Sequence, residues 1–170
     1  MRKLLLLSLL FASSVVSASD QLSDIFGEGV FDTKWGDSLA QIEEVHPGGK
    51  YKSSYEMHVY TVKSSRTVLG SDSKKELTFQ FAEPEEKLNK VFARFPMSDY
   101  PSISNKLTNI FGKGDSDPAN ASATTGYIQW ESEDGSLTVS VYMAVAFRGY
   151  TYLSITKRIT AEATKEELGF

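Results

Sequence analysis

The 170-residue chain contains no cysteine, and that one absence closes several routes. There can be no disulfide framework, no thiolate zinc site, no cysteine nucleophile and no lipid anchor carried on a cysteine. Whatever holds the fold must be an apolar core, which a chain of this length is able to build. Histidine is scarce, limited to His46 and His58. No Gly-x-Ser-x-Gly elbow and no His-Glu-x-x-His helix accompanies either, so the common hydrolase and metalloprotease signatures are missing. Beyond the N-terminus no apolar run is long enough to cross a bilayer core of ~30 Å as a helix.

What is present begins at that N-terminus. Arg2 and Lys3 precede an apolar run from Leu4 to Leu10, and small residues lead to Val16-Ser17-Ala18. A basic start, a short apolar centre and small residues at −3 and −1 predict a secretory signal peptide cut after Ala18. The expected mature chain is exported and soluble, and its lack of cystines fits a bacterial periplasm. Its organisation reads as one domain over residues 19–160, followed by a charged tail over 161–170. Removing Arg2 and Lys3 leaves 16 basic residues against 22 acidic, a net charge of −6. That balance argues against nucleic acid and against anionic membrane as partners. The Asn120-Ala121-Ser122 sequon is the kind of triplet that arises by chance in a Ser-rich loop.

Residues 19–30, with Gly27 and Gly29, read as a loose lead-in. Ser38 and Gln41 stand at capping-box spacing before a helix. Leu39, Ile42 and Val45 would share its inner face, and Pro47-Gly48-Gly49 would end it. Three strands are predicted next. They are Met57 to Val62, the alternating run Leu77, Phe79 and Phe81, and Leu88 to Phe95. Ser64 to Lys75 reads as a loop or hairpin tip and Glu83 to Glu86 as a turn. The order then recurs. A helix starts near Ser98 to Pro101, with Ile103, Leu107, Ile110 and Phe111 on one face and Gly112 as its C-cap. Residues 113–125 form a polar loop. Tyr127 to Glu131 is a strand, and Asp134-Gly135 favours a type I′ turn. Leu137, Val139, Val141, Met143 and Val145 alternate over nine residues, and Thr151, Leu153 and Ile155 complete the set. The predicted class is α+β: two α-β-β-β units, over about 31–96 and 97–158, with a mainly antiparallel sheet and both helices on one face.

This order, together with Trp35-Gly36-Asp37-Ser38-Leu39 running into an amphipathic helix, resembles the β-lactamase inhibitory protein fold and small envelope lipoproteins of related architecture. The resemblance covers the order of elements in residues 31–158 and implies a fold. The chain departs from it in lacking the inhibitor's disulfides and a lipoprotein cysteine, and no functional residue carries over.

Candidate chemistry is sparse. His46, at a helix end before Pro47, suits a structural role at the negative end of the helix dipole. His58 lies in a strand beside Tyr60, with no nucleophile assigned to it. The carboxylates Glu43-Glu44, Glu83 with Glu85-Glu86, and Asp115 with Asp117 read as solvated faces and loops. Asp115-Ser116-Asp117 fails the EF-hand pattern, because Asn120 stands where glycine is required. Gly112-Lys113-Gly114 is a helix cap rather than a phosphate loop. No cofactor and no metal is expected.

The aromatic pattern is more informative. If Ile128, Trp130, Leu153, Ile155 and the Leu137–Val145 alternation face the core, then Tyr127, Tyr142, Tyr150 and Tyr152 share the opposite face. Gln129, Thr138, Ser140 and Ser154 would interleave with them. Tyrosine is a good strand former in its own right. It also offers a large rigid surface with a polar handle, suited to protein or sugar recognition. Trp35 is expected in the core. The expectation is therefore a periplasmic, non-enzymatic binding module that meets a protein or envelope component through this face. The alternatives are a hydrolase using Asp or Glu in a cleft, and a small outer-membrane barrel suggested by the length and by Phe170.

Overall fold

The computed structural model describes residues 18–54, 57–83, 86–116, 125–144 and 149–158. The expected signal peptide up to residue 17, Pro84 and Glu85, Asp117, the Asn120–Ser122 sequon, Val145 and the tail 161–170 lie outside the described residues. The class is α+β. Seven strands form one antiparallel sheet: β3 (Lys50–Ser54), β4 (Met57–Ser64), β5 (Lys75–Ala82), β6 (Lys87–Pro96), β7 (Thr125–Glu131), β8 (Leu137–Ala144) and β9 (Tyr150–Lys157). Their spatial order is β3-β4-β5-β6-β9-β8-β7. Two meanders thus meet where β6 pairs with β9, Val91 opposite Ile155 and Arg94 opposite Tyr152. The sheet is open, with β3 and β7 as its edges, and not a closed barrel.

The alternation seen in sequence sets which side is buried. Leu77, Phe79 and Phe81 of β5, Val91, Ala93 and Phe95 of β6, Val139 and Val141 of β8, and Leu153 and Ile155 of β9 point inward. Helices α2 (Leu39–Val45) and α3 (Tyr100–Phe111) cover that side. Ile103, Leu107 and Phe111 enter the core from α3, and Ile42 from α2. The α2 start follows its capping signal, Gln41 Oε1 accepting from the Ser38 backbone N–H at 2.9 Å. Gly112, at φ 74°, ends α3 in a conformation that disfavours other residues. Among the described residues no helix is long and apolar enough to cross a membrane.

Five expectations need correction. The lead-in contains a helix, α1 (Ala18–Phe26), and a two-residue hairpin, β1 (Gly29–Val30) with β2 (Thr33–Lys34). Leu22 is 1% exposed and belongs to the core, and Phe26 lies 6.1 Å from Phe111 between ring centroids. β3 was not foreseen, because Lys50-Tyr51-Lys52-Ser53-Ser54 is exposed along its whole length and carries no hydrophobic signal. Val45 does not share the buried face of α2: the last residue of the helix, it is 43% exposed, and Ile42 is the residue of the helix that is buried. The alternation of β8 breaks at its end, where Ala144 rather than Met143 is buried.

The fifth concerns the turns. Only Gly135 has positive φ at the β7–β8 connection, whereas a type I′ turn needs two such residues. Asp134 instead accepts from Ser132 Oγ at 2.6 Å and Ser136 N at 2.9 Å, which holds it in ordinary backbone geometry. The positive-φ pair occurs between β1 and β2, at Phe31 (φ 55°) and Asp32 (φ 64°). His46 Nε2 meets the Phe31 carbonyl at 2.7 Å, and Asp32 pairs with Arg66, so tertiary contacts hold the unfavourable turn.

Candidate functional site

The side of the sheet away from the helices is built by the same alternation. Most residues that alternate with the inward ones are polar or aromatic, Val59, Ala82 and Ala144 being exceptions, and the register aligns them across strands. One row runs without interruption from β4 to β8: Lys63 opposite Glu76, Glu76 opposite Arg94, Arg94 opposite Tyr152, and Tyr152 opposite Tyr142. Tyr127 of β7 completes it, its ring 6.0 Å from that of Tyr142 and inclined by 28°. Tyr142 and Tyr152 stack at 5.4 Å and 14°. At the usual strand spacing six strands make this row roughly 24 Å long. It passes from cation to carboxylate to cation and then into three tyrosines.

All four tyrosines singled out in the sequence are on this face. Tyr127, Tyr142 and Tyr152 form the ridge. Tyr150 sits one register step nearer the strand end, opposite Pro96 and Ala144, and reaches the row through Arg94, whose guanidinium lies 4.6 Å over its ring. Such a contact is favourable by about 0.5–1 kcal/mol at exposed sites. Arg94 also pairs with Glu76 at 3.0 Å. It therefore joins the ridge to its charged end.

The stacking has a chemical consequence. Tyr142 has a ring on either side, so its faces are occupied and its outward edge carries the phenol. Burial, followed by the neighbouring Tyr152 and Tyr127, pushes its ionisation above the ordinary tyrosine value. It stays a neutral hydroxyl, able to donate and to accept. Tyr127 donates its own hydroxyl to Gln129 Oε1.

Beside Arg94 a cleft of about 540 Å³ opens, lined among others by Lys63, Lys74, Glu76, Arg94 and Tyr150. A second hollow of about 560 Å³ adjoins it and shares Lys63 and Glu76, adding Lys50 and Lys52. Lys90, on the same face, is held over the Phe92 ring at 4.6 Å, and burial lowers its ionisation below the ordinary lysine value. The acidic bulk charge therefore conceals a basic face. Residues Asp24, Glu28, Asp32, Asp37, Glu43 and Glu44 belong to α1, the β1–β2 region and α2 on the opposite side.

The histidines resolve differently. His46 is structural: its backbone N–H caps α2 at Ile42 O, and its ring packs 4.9 Å from Phe79. Trp35 is half-buried against the core and donates Nε1 to Phe26 O at 2.6 Å. His58 has partners the sequence did not disclose. Ser53 Oγ is 3.3 Å and Tyr51 Oη 2.9 Å from Nδ1, and Glu83 Oε1 is 2.6 Å from Nε2. Glu86 Oε1 also approaches Nδ1, at 3.0 Å. Serine, histidine and carboxylate in sequence have the outline of a hydrolytic relay. Yet a general base needs a lone pair turned to its nucleophile, and here carboxylate oxygens face both ring nitrogens. The two nitrogens point apart, so the carboxylates do not converge. Among the described residues no group of three His, Asp or Glu is placed to hold a metal ion.

Compared with known proteins, the chain matches no family model, no curated protein and no solved structure.

Proposed function

We propose that the chain is exported by cleavage after Ala18 and acts in the periplasm as a binding module, not an enzyme. Its contact surface is the helix-free face of the sheet, and its partner is a protein or a component of the envelope. One observation carries this reading: the row Lys63, Glu76, Arg94, Tyr152, Tyr142, Tyr127 on a face that no element of the described chain covers. Tyrosine and arginine are the residues enriched where surfaces bind, because each supplies wide contact area together with a polar group. The crowding of His58 by carboxylates favours binding over hydrolysis. In-cell crosslinking of a tagged, exported copy tests the reading. A discrete adduct that disappears in Tyr142→Ala/Tyr152→Ala, with circular dichroism unchanged, is the expected result. An adduct undiminished in that variant overturns the assignment of the face. So does hydrolysis of ester or glycoside substrates that is lost in Ser53→Ala.

A further inference from the structure

Resting on that reading of the face, we propose that its ligand is a carboxylated polysaccharide. An acidic sugar sits in the cleft at Arg94 and the chain extends along the tyrosine ridge.

Charge comes first. The cleft brings Lys63, Lys74 and Arg94 around a single carboxylate, Glu76, on a protein whose mature charge is −6. A fourth cation of the lining, Lys75, turns its ammonium to the carbonyls of Arg66 and Ser71 and is already spent. Among the described residues neither Lys63 nor Lys74 makes an ion pair, and Arg94 has only Glu76. That pair is a third exposed on each side, so a ligand carboxylate can reach the guanidinium and replace or share Glu76.

The rest of the face matches a hydroxyl-rich chain. Beside the charged end stand Thr61 and Thr78, whose hydroxyls meet at 3.1 Å, and on the tyrosine side Thr156 lies opposite Thr138; Ser140 and Ser154, between them, are buried. The threonine hydroxyls donate and accept, as sugar hydroxyls do.

The same geometry disfavours other ligands. Single-stranded nucleic acid is held by free aromatic faces on which bases stack, and here Tyr142 is enclosed by its neighbours. An extended peptide usually joins a sheet at an edge. The β7 edge is occupied at Gln129, which exchanges two 2.8 Å backbone hydrogen bonds with Asp115. The β3 edge strand carries Lys50 and Lys52, the residues that discourage strand addition. A lipid surface would call for an apolar wedge, and the central row contains no aliphatic side chain.

The test uses the mature protein and four probes: polygalacturonate, dextran, polyglutamate and vesicles of anionic phospholipid. Affinity electrophoresis should show retention by polygalacturonate, weakening with salt, and none by dextran. Arg94→Gln and Lys63→Gln should each weaken it about tenfold, as loss of one charge-assisted contact does. Glu76→Gln should strengthen it by removing the competing carboxylate. Lys63 is exposed and its replacement leaves the fold intact, which guards against a folding defect in Arg94→Gln. No retention by polygalacturonate, equal retention by polyglutamate or vesicles, or indifference to both substitutions overturns the proposal. If a protein adduct dependent on Tyr142 and Tyr152 is found while polygalacturonate is not retained, the ligand class falls and the face stands. If neither is found, both readings fall.

Discussion

Tyr142 shows how a residue's chemistry is set by neighbours that lie far away in sequence. Between the rings of Tyr127 and Tyr152 its phenol is held in the neutral form, with ionisation above the ordinary value. The folded state therefore binds this proton more tightly than the unfolded chain, where tyrosine titrates near pH ~10. Its contribution is complete below that pH and is lost as pH rises through the higher folded value. Alkaline titration at 295 nm should show Tyr142 among the tyrosines that ionise late, with Tyr51 and Tyr100, whose ionisation burial also raises, coupled to a fall in stability. Tyr142→Phe should reduce the amplitude of that late phase and make stability fall less steeply above pH ~10. A titration identical in the variant would mean that the ring is not enclosed. The tyrosines themselves were legible from alternation alone. Arg94, Lys63 and Glu76 were not, because their register with Tyr152 depends on β6 pairing with β9, strands separated by a helix and two other strands.

Elements were readable in proportion to their own periodicity. The α3 stripe of Ile103, Leu107 and Phe111 and the alternation of β5 mark themselves out. α1 does not: nine residues make a marginal helix in water, and docking supplies its stability. Leu22 is the dock. Leu22→Ala should destabilise the protein by about 2–5 kcal/mol, as deletion of a buried leucine does. Ile25→Ala on the exposed side, at 51% exposure, should cost under about 0.5 kcal/mol. Urea unfolding monitored by tryptophan fluorescence measures both. Equal effects would show that α1 does not pack as described. The β3 strand was hidden for the converse reason. It buries nothing and exists because it pairs with β4 through five register positions.

At the scale of the whole molecule the open face carries more cations than carboxylates, with Lys50, Lys52, Lys63, Lys90 and Arg94 against Glu76 and Glu131. Edge lysines keep an exposed strand from joining another copy. Lys50→Val/Lys52→Val should therefore produce concentration-dependent association in sedimentation velocity, while the wild-type profile stays independent of concentration. No change in the variant would mean that something other than charge guards the edge. The α+β class, the inner face and the side on which the four tyrosines stand could be read along the chain without any knowledge of which strands are neighbours. All of these follow from local periods of 2 and 3.6 residues that one strand or helix carries unaided. The pattern of residues 1–18 is likewise local, and the proposed export rests on it. Three features needed the folded molecule: α1 joining the core, His58 ringed by Ser53, Tyr51, Glu83 and Glu86, and a basic face on an acidic protein. Each of these depends on which strands become neighbours. That choice is made by burial summed over the whole chain, and no local period records it.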